Sequence, residues 1–251
     1  MEVNKIIQGD CLNILKEMPD NFVDLVITSP PYNCGIAYDV CKDNLKWEDY
    51  YNWCEKWLRE LLRILKSDGR FCLNHYLSFG QSNNRHTPLM KLNEIAIEIG
   101  FKHHGIAIWT DITLIKRTAW GSWKSASAPY VNSPYEGILI LYKDKWKKEK
   151  QGISTITDKD FMMACSGVWN IGTDKERLTP ATFPKRLPEL CINLLSYEND
   201  LILDPFAGSF TTCVVAKMLN RNYIGIEISP DYCRRGTIRL AEETNLFKGG
   251  E

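Results

Sequence analysis

The chain of 251 residues has no charge imbalance: 31 lysines and arginines stand against 31 aspartates and glutamates. Nothing in bulk announces a polyanionic partner, so any nucleic-acid contact must come from a local basic surface. No two of the nine cysteines have C-x-x-C spacing, which excludes a zinc ribbon and a thioredoxin-type motif. Their count is odd, and Cys191 and Cys213 fall within apolar patterns; they read as reduced, buried small hydrophobes of a reducing compartment. No apolar run approaches a membrane span, and Met1–Lys5 lacks the apolar core of a secretion signal, so a cytoplasmic protein without membrane contact is expected. G-x-G-x-x-G and the P-loop G-K-[ST] are both missing. A pyrophosphate dinucleotide and a P-loop-bound nucleotide are therefore disfavoured.

What is present is an ordinary globular composition, 44% apolar and 25% charged. Residues 3–8 read as a short strand ending at Gly9-Asp10, followed by a helix from Cys11 to about Met18. Val23–Ile27 is an apolar run typical of a buried parallel strand. Trp47–Lys66 is amphipathic, and its aromatics read as core rather than as base-stacking platforms; Gly69 is expected to stop that helix. Arg70–Asn74 and Phe101–Trp109 read as strands, Thr87–Ile99 as a helix, and Glu136–Lys143 as the hairpin partner of 101–109. Between the last two lies an irregular segment in which Lys116, Arg117, Trp120, Trp123, Lys124, Tyr130 and Tyr135 alternate with serines. Basic and aromatic side chains in a loop suit nucleic-acid contact, and a packed surface loop is the alternative. The charge run 143–150 reads as solvated surface. Residues 151–170 have little periodicity and are the most plausible specificity segment. Pro184 opens a helix, 201–204 is a strand, and strand–helix alternation continues to about Glu243.

Two stretches carry chemistry. In Thr28-Ser29-Pro30-Pro31-Tyr32-Asn33 two prolines end a buried strand and fix the backbone, holding a hydroxyl, carbonyls and an aromatic ring at a strand's carboxyl end. At the other end of the chain, a strand runs into Asp204-Pro205-Phe206-Ala207-Gly208-Ser209 and a helix. Glu227 then falls at the end of the next strand, where an acid accepts hydrogen bonds from ribose hydroxyls. This is the logic of a site for a nucleoside cofactor without a phosphate chain.

Together, Ser29-Pro30-Pro31-Tyr32 and Asp204–Ser209 resemble the S-adenosylmethionine-dependent DNA amino-methyltransferases. Their order, catalytic motif first, resembles the β class of that family. Asp10, Trp109 and Thr179–Pro184 also fall where that class has supporting motifs. The resemblance implies a single α/β domain over 1–251: a Rossmann-like methyltransferase sheet of about seven mostly parallel strands, helices on both faces, a circularly permuted motif order, and an inserted target-recognition region at 110–175. It implies that Ser29, Pro30, Pro31 and Tyr32 are catalytic. It implies that Asp10, Phe183, Pro184, Asp204, Pro205, Phe206, Gly208, Ser209 and Glu227 bind S-adenosylmethionine. Phe210 occupies a turn position usually taken by glycine, so its φ is expected to be negative or the turn altered. Serine at the first motif position resembles the N4-cytosine enzymes, with N6-adenine as the alternative. No Pro-Cys pair occurs, which argues against carbon-5 chemistry. The implied partners are duplex DNA and a cognate restriction endonuclease; the oligomeric state, a dimer included, is left open. A non-catalytic nucleic-acid-binding module is the reading of another class.

Overall fold

A computed structural model describes residues 1–40, 43–81, 84–110, 120–131, 133–172 and 182–245. Strand β1 (Lys5–Gln8) leads to helix α1 (Cys11–Glu17), capped where the Asp10 carboxylate accepts the Asn13 N–H at 3.2 Å. Strand β2 (Val23–Thr28) is buried at every position, as a strand covered on both faces must be. Helix α2 (Trp47–Ile64) turns Tyr50, Trp57, Leu58 and Leu61 inward at helical spacing. It passes directly into β3 (Leu65–Tyr76), so Gly69 lies inside a strand and does not end the helix as expected. Strands β4 (Phe79–Gln81) and β5 (Asn84–His86) pair as a separate hairpin. Helix α3 (Pro88–Ile99) has proline in its first turn and closes at Gly100, whose φ of +124° suits a residue without Cβ.

Strands β6 (Lys102–Thr110) and β7 (Tyr135–Tyr142) pair antiparallel, as expected of a hairpin. The weakly periodic stretch contains helix α4 (Asp158–Cys165) and strand β8 (Val168–Asn170). Helix α5 (Arg186–Leu195), strand β9 (Leu201–Asp204), helix α6 (Thr211–Met218), strand β10 (Asn222–Glu227) and helix α7 (Pro230–Asn245) complete the described chain.

The sheet has eight strands among the described residues, in the order β1-β10-β9-β2-β3-β7-β6-β8. Ladders from β1 through β3 are parallel, β7 runs against both its neighbours, and β8 is parallel to β6. The strand beyond the expected seven is β8. One core, with Leu15, Trp57, Leu61 and Leu92, lies under α1–α3; the other, with Leu190, Cys191, Val214 and Trp169, lies under α4–α7. Five parallel strands thus end at one edge, where open α/β sheets bind ligands.

The charge run 143–150 is solvated at Asp144, Lys145, Lys147, Glu149 and Lys150, as expected, but three of its residues turn inward. Lys148 is buried between Asp24 and Asp200, and Lys143 donates to the carbonyls of Arg63 and Leu65. Trp146 stacks on His104 with ring centroids 3.4 Å apart, and the Arg70 guanidinium lies over it. The run closes the amino-terminal edge of the sheet. No described helix is long and apolar enough to cross a membrane.

Candidate active site

A cavity of about 270 Å³ opens beyond the carboxyl ends of β1, β10, β9 and β2. Each strand-end turn contributes to its wall: Gly9 and Asp10, then Ser29 and Pro31, then Pro205, Phe206 and Gly208, then Glu227 and Ser229. The motifs from the two ends of the sequence therefore meet at one cavity. Its described wall includes the carboxylates of Asp10, Asp39, Asp43 and Glu227, and no lysine, arginine or histidine. Such a lining repels phosphates and favours a cationic or neutral ligand. Phe206 adds an aromatic surface, held by Trp53 and Trp57 at centroid distances of 5.4 and 5.5 Å.

Pro30, Tyr32, Phe183, Pro184, Asp204 and Ser209 are not among the residues that line this cavity. Asp204 is 1% exposed and faces inward. Thr28 Oγ1 and Thr212 Oγ1 each donate to its carboxylate at 2.7 Å, and Phe206 N–H donates at 3.1 Å. It clamps β2, the β9 turn and α6 together from beneath the site. Ser209 is buried, its hydroxyl paired with Thr211 at 3.1 Å and its carbonyl accepting from Arg239 at 2.8 Å. Phe183 packs into the core beneath α5, and the Pro184 carbonyl accepts the Leu187 N–H at that helix's start. Thr179, Pro180 and Ala181 lie outside the described residues.

Burial raises the Asp204 carboxyl from its ordinary 3.8 to about 6, against the pull of its three donors. A folded-state value above the unfolded one means the native state holds the extra proton between these limits. The stability this confers is present below about pH 4 and is lost as pH rises through about 6. Relative to Asp204→Asn, the wild-type protein is expected to lose about 3 kcal/mol across that interval. Urea denaturation of both proteins at pH 4, 5, 6 and 7 measures it; a constant difference would refute the shift.

Glu227 accepts the N–H groups of Gly208 at 2.9 Å and Ser229 at 2.8 Å. These bonds hold the carboxylate at the cavity floor, while burial pushes its pKa up. Phe210 adopts φ +60°, ψ 27° directly before α6, so of the two expectations, a negative φ or an altered turn, the negative φ is not met. Its ring is fully buried against the faces of Gly225 on β10 and Gly236 on α7. The turn keeps its left-handed residue because two glycines elsewhere make room for the side chain.

The Ser29–Tyr32 motif is braced from three sides. Ser29 Oγ donates to Tyr32 Oη at 2.8 Å, and Tyr32 Oη donates to Glu136 Oε2 at 2.8 Å. Asn74 Nδ2 donates to both Tyr32 Oη and Glu136 Oε2 at 2.7 Å. Burial raises the Glu136 carboxyl, and the bonds from Tyr32 and Asn74 oppose it. His75 stacks on Tyr32 with centroids 4.2 Å apart and Tyr76 meets the ring edge-on at 4.9 Å, so Tyr32 is buried between them. Tyr50 Oη donates to the Pro31 carbonyl at 2.8 Å and lies 2.9 Å from His75 Nε2. Its single hydrogen is thereby spent, so His75 Nε2 carries the proton of that contact. Burial lowers the imidazole to about 3 and keeps it neutral.

The loop after Tyr32 forms the cavity's outer wall. Asp43, 4% exposed, accepts the N–H groups of Asn33, Cys34 and Ile36 at 2.6, 3.0 and 3.1 Å. The Cys34 thiol, pushed up to about 12 by burial and by Asp43, donates to the same carboxylate. Asp39 accepts from the Ser229 hydroxyl, tying this loop to the β10–α7 turn.

Further along, residues 120–131 fold back on themselves through the Gly121–Pro129 bridge. Trp123 is 68% exposed there, with the Lys124 ammonium over its ring. Arg85 of β5 packs on the Tyr130 ring and donates to the Val131 carbonyl. Lys116 and Arg117 lie outside the described residues.

Sequence reasoning missed Glu136, Asn74, His75, Tyr50 and Asp43. A signal existed for three of them. Asn74 and His75 close a parallel strand and Glu136 opens the reversed one, so all three share the edge that carries the motif.

The sequence matches the DNA methylase family of N6/N4 type over residues 23–239. It is 41% identical over 174 residues to the type II methyltransferase M.MjaVI of Methanocaldococcus jannaschii, an alignment covering 69% of this chain and 88% of that protein. The DNA modification methylase TTHA0409 of Thermus thermophilus, in its complex with S-adenosyl-L-methionine, superposes with a TM-score of 0.78 at 24% identity over 95% of this chain and 93% of that one. The cytosine-N4-specific PvuII DNA methyltransferase superposes with a TM-score of 0.71 at 21% identity, over 100% and 94% of the two chains. The large, mostly parallel sheet with helices on both faces is common to them.

Proposed function

Because the chain belongs to the N6/N4 DNA methylase family, we propose that it transfers the methyl group of S-adenosylmethionine to the N4 amine of cytosine in duplex DNA. The observation that carries this reading is the cavity: four acidic residues and, among the described residues, no basic one, with Ser29 in the same wall. That donor set suits a cationic sulfonium nucleoside and is unsuited to a nucleotide. Glu227 and Asp10 are the acceptors for its hydroxyl and amino groups, and Phe206 and Gly208 are the surfaces against its chain. Pro205 shapes the turn, and Asp204 and Ser209 support it from beneath. When bound, the cofactor supplies an electrophilic methyl group.

The target amine is a poor nucleophile because its lone pair is delocalised into the ring. In this reading Ser29 Oγ and the Pro30 carbonyl accept its two hydrogens and draw the nitrogen toward sp³ geometry. Tyr50 already occupies the Pro31 carbonyl, which is why Pro30 is assigned the second acceptor. The base must leave the duplex to reach this edge. In this reading it stacks on Tyr32, with Tyr76 moving aside from that ring; such a contact is worth about 1–3 kcal/mol in single-strand binders and offsets much of the unstacking cost. Positioning and fixed dipoles account for the rest. Residues 110–175 are assigned to DNA contact, with Trp123, Lys124 and Tyr130 as its described aromatic and basic groups. A restriction endonuclease of the same recognition sequence is the partner this reading calls for.

Serine at the first motif position favours cytosine; the family type spans adenine as well, which is the second reading. Nucleosides from treated DNA are expected to contain N4-methylcytosine by mass spectrometry. N6-methyladenine alone would transfer the assignment to adenine. A binding module without catalysis would transfer no label from radioactive S-adenosylmethionine to unmethylated DNA.

A further inference from the structure

Ser29 can serve an amine only if its oxygen accepts, yet a serine hydroxyl is equally able to donate. We propose that Glu136 is a positioning residue that sets this polarity, making Ser29 an acceptor and the site selective for an amino group over a carbonyl. The inference rests on the amine-methylation reading and adds to it how the exocyclic amine is told from the exocyclic oxygen of thymine or uracil.

The fold brings Glu136 to the motif by strand reversal. β7 runs antiparallel to β3, so its beginning lies beside the end of β3, with Glu136 in register with Tyr76. Hydrogens can then be counted along the chain. Two donors, Tyr32 Oη and Asn74 Nδ2, converge on Glu136 Oε2. Any proton the carboxyl takes up therefore sits on its other oxygen and leaves Oε2 an acceptor. Tyr32 has one hydrogen, and it is spent on Glu136. Asn74 Nδ2 has no lone pair to accept with and so donates to Tyr32 Oη. The 2.8 Å contact between Ser29 and Tyr32 must then be made by the serine hydrogen. With that hydrogen committed inward, Ser29 meets a ligand with lone pairs alone. An N–H of cytosine or adenine finds an acceptor there, whereas a carbonyl oxygen meets another oxygen.

The polarity is decided two hydrogen bonds away from Ser29 Oγ, so it can be altered without touching the cavity wall. In Glu136→Leu the Tyr32 hydrogen loses its acceptor and turns to Ser29, which frees the serine hydrogen toward the ligand. Glu136→Gln keeps an oxygen where Oε2 stands and preserves the order. On a duplex bearing the site identified by mapping methylated DNA, Glu136→Leu is expected to lose on the order of 10²-fold in kcat. Its KM for DNA and its Kd for S-adenosylmethionine, read by calorimetry, are expected to stay within about threefold of wild type. Glu136→Gln is expected to recover most of the loss. A second readout needs no turnover: the ratio of affinities for the duplex with cytosine and with uracil at the target, in which the easier flipping of the mismatched uracil is common to both proteins, is expected to shift toward uracil in Glu136→Leu. Tyr32→Phe removes the middle of the chain without removing the ring. It is expected to match Glu136→Leu, and the double variant to be no worse than either single one.

Equal kcat in wild type and Glu136→Leu would overturn the proposal, as would equal losses in the Leu and Gln variants. So would an unchanged cytosine-to-uracil preference. If wild type itself methylates no amine, the functional reading has failed instead. Should Glu136→Leu not fold, Tyr32→Phe carries the same test on turnover and base preference.

Discussion

Gly236→Ala is expected to destabilise the protein by about 2 kcal/mol, although alanine is the better residue for a helix interior. The helix preference favours alanine by about 1 kcal/mol. Against it, a Cβ at 236 would lie 2.0 Å from Cδ2 and 2.6 Å from Cε2 of Phe210, a fully buried ring. Inserting a methyl group into a packed core costs about 1–3 kcal/mol, and an overlap this deep belongs at the upper end. Gly225 bounds the ring from β10, where a Cβ would meet it at 2.7 Å, so Phe210 has nowhere to retreat. The same residue sits at φ +60°, a conformation costing a non-glycine residue about 1–2 kcal/mol. Glycine at 210 would relieve that strain, but emptying the ring's space costs about 3–5 kcal/mol, so the phenylalanine wins. The measurement is a cycle of urea denaturation on wild type, Gly236→Ala, Phe210→Ala and the double variant. In the double variant the glycine change is expected to cost close to nothing. Additive losses would show that the ring and helix α7 are not in conflict.

That pairing marks one limit of what the chain reveals before it folds. An aromatic residue in place of a turn glycine signals a conflict, and from sequence a negative φ or an altered turn were the two ways out. The actual resolution depends on two glycines, one in a strand and one in a helix, that local periodicity cannot connect to residue 210. The strand–helix alternation itself was legible, since β2 and β9 are uninterrupted apolar runs and α2 has inward aromatics at helical spacing. Segment 151–170 was not, because α4 and β8 leave Phe161, Met162 and Val168 exposed and so show no clean inward face. The meeting of the two motifs was legible because both end parallel strands. For Glu136 the signal was half there: its position at the start of a strand was legible, but that this start lies at the motif's edge follows from the reversal of β7. The inward residues of the charge run were hidden for a different reason. Composition counts charges but not their partners, and Lys148 finds two carboxylates only after the sheet has formed.

Asp43→Ala is expected to weaken S-adenosylmethionine binding on the order of 100-fold while leaving global stability nearly unchanged. The carboxylate gathers three backbone N–H groups within 3.1 Å and fixes the turn at Asn33, whose φ is +57°. Asn33 in turn holds both polar backbone groups of Leu45, accepting its N–H at 2.6 Å and donating to its carbonyl at 2.9 Å. Each bond to a charged group contributes about 1.5–3 kcal/mol, so removing all three frees a loop that contributes Asn33, Tyr38, Asp39 and Leu45 to the cavity. Water satisfies the exposed donors in part. A residual ordering cost of about 2.7 kcal/mol, met again at each binding event, corresponds to the 100-fold loss. The loop lies outside both cores, so its opening is local and the denaturation midpoint is expected to move little. Asp43→Asn retains a single carbonyl oxygen for the same donors and is expected to fall between the two. Calorimetric titration with S-adenosylmethionine, beside urea denaturation of the same samples, separates the effects. Wild-type affinity in Asp43→Ala would mean that the outer wall forms without its carboxylate; parallel loss of affinity and global stability would make Asp43 part of the core. Only the split result assigns it to organising the wall of the site that Ser29 shares.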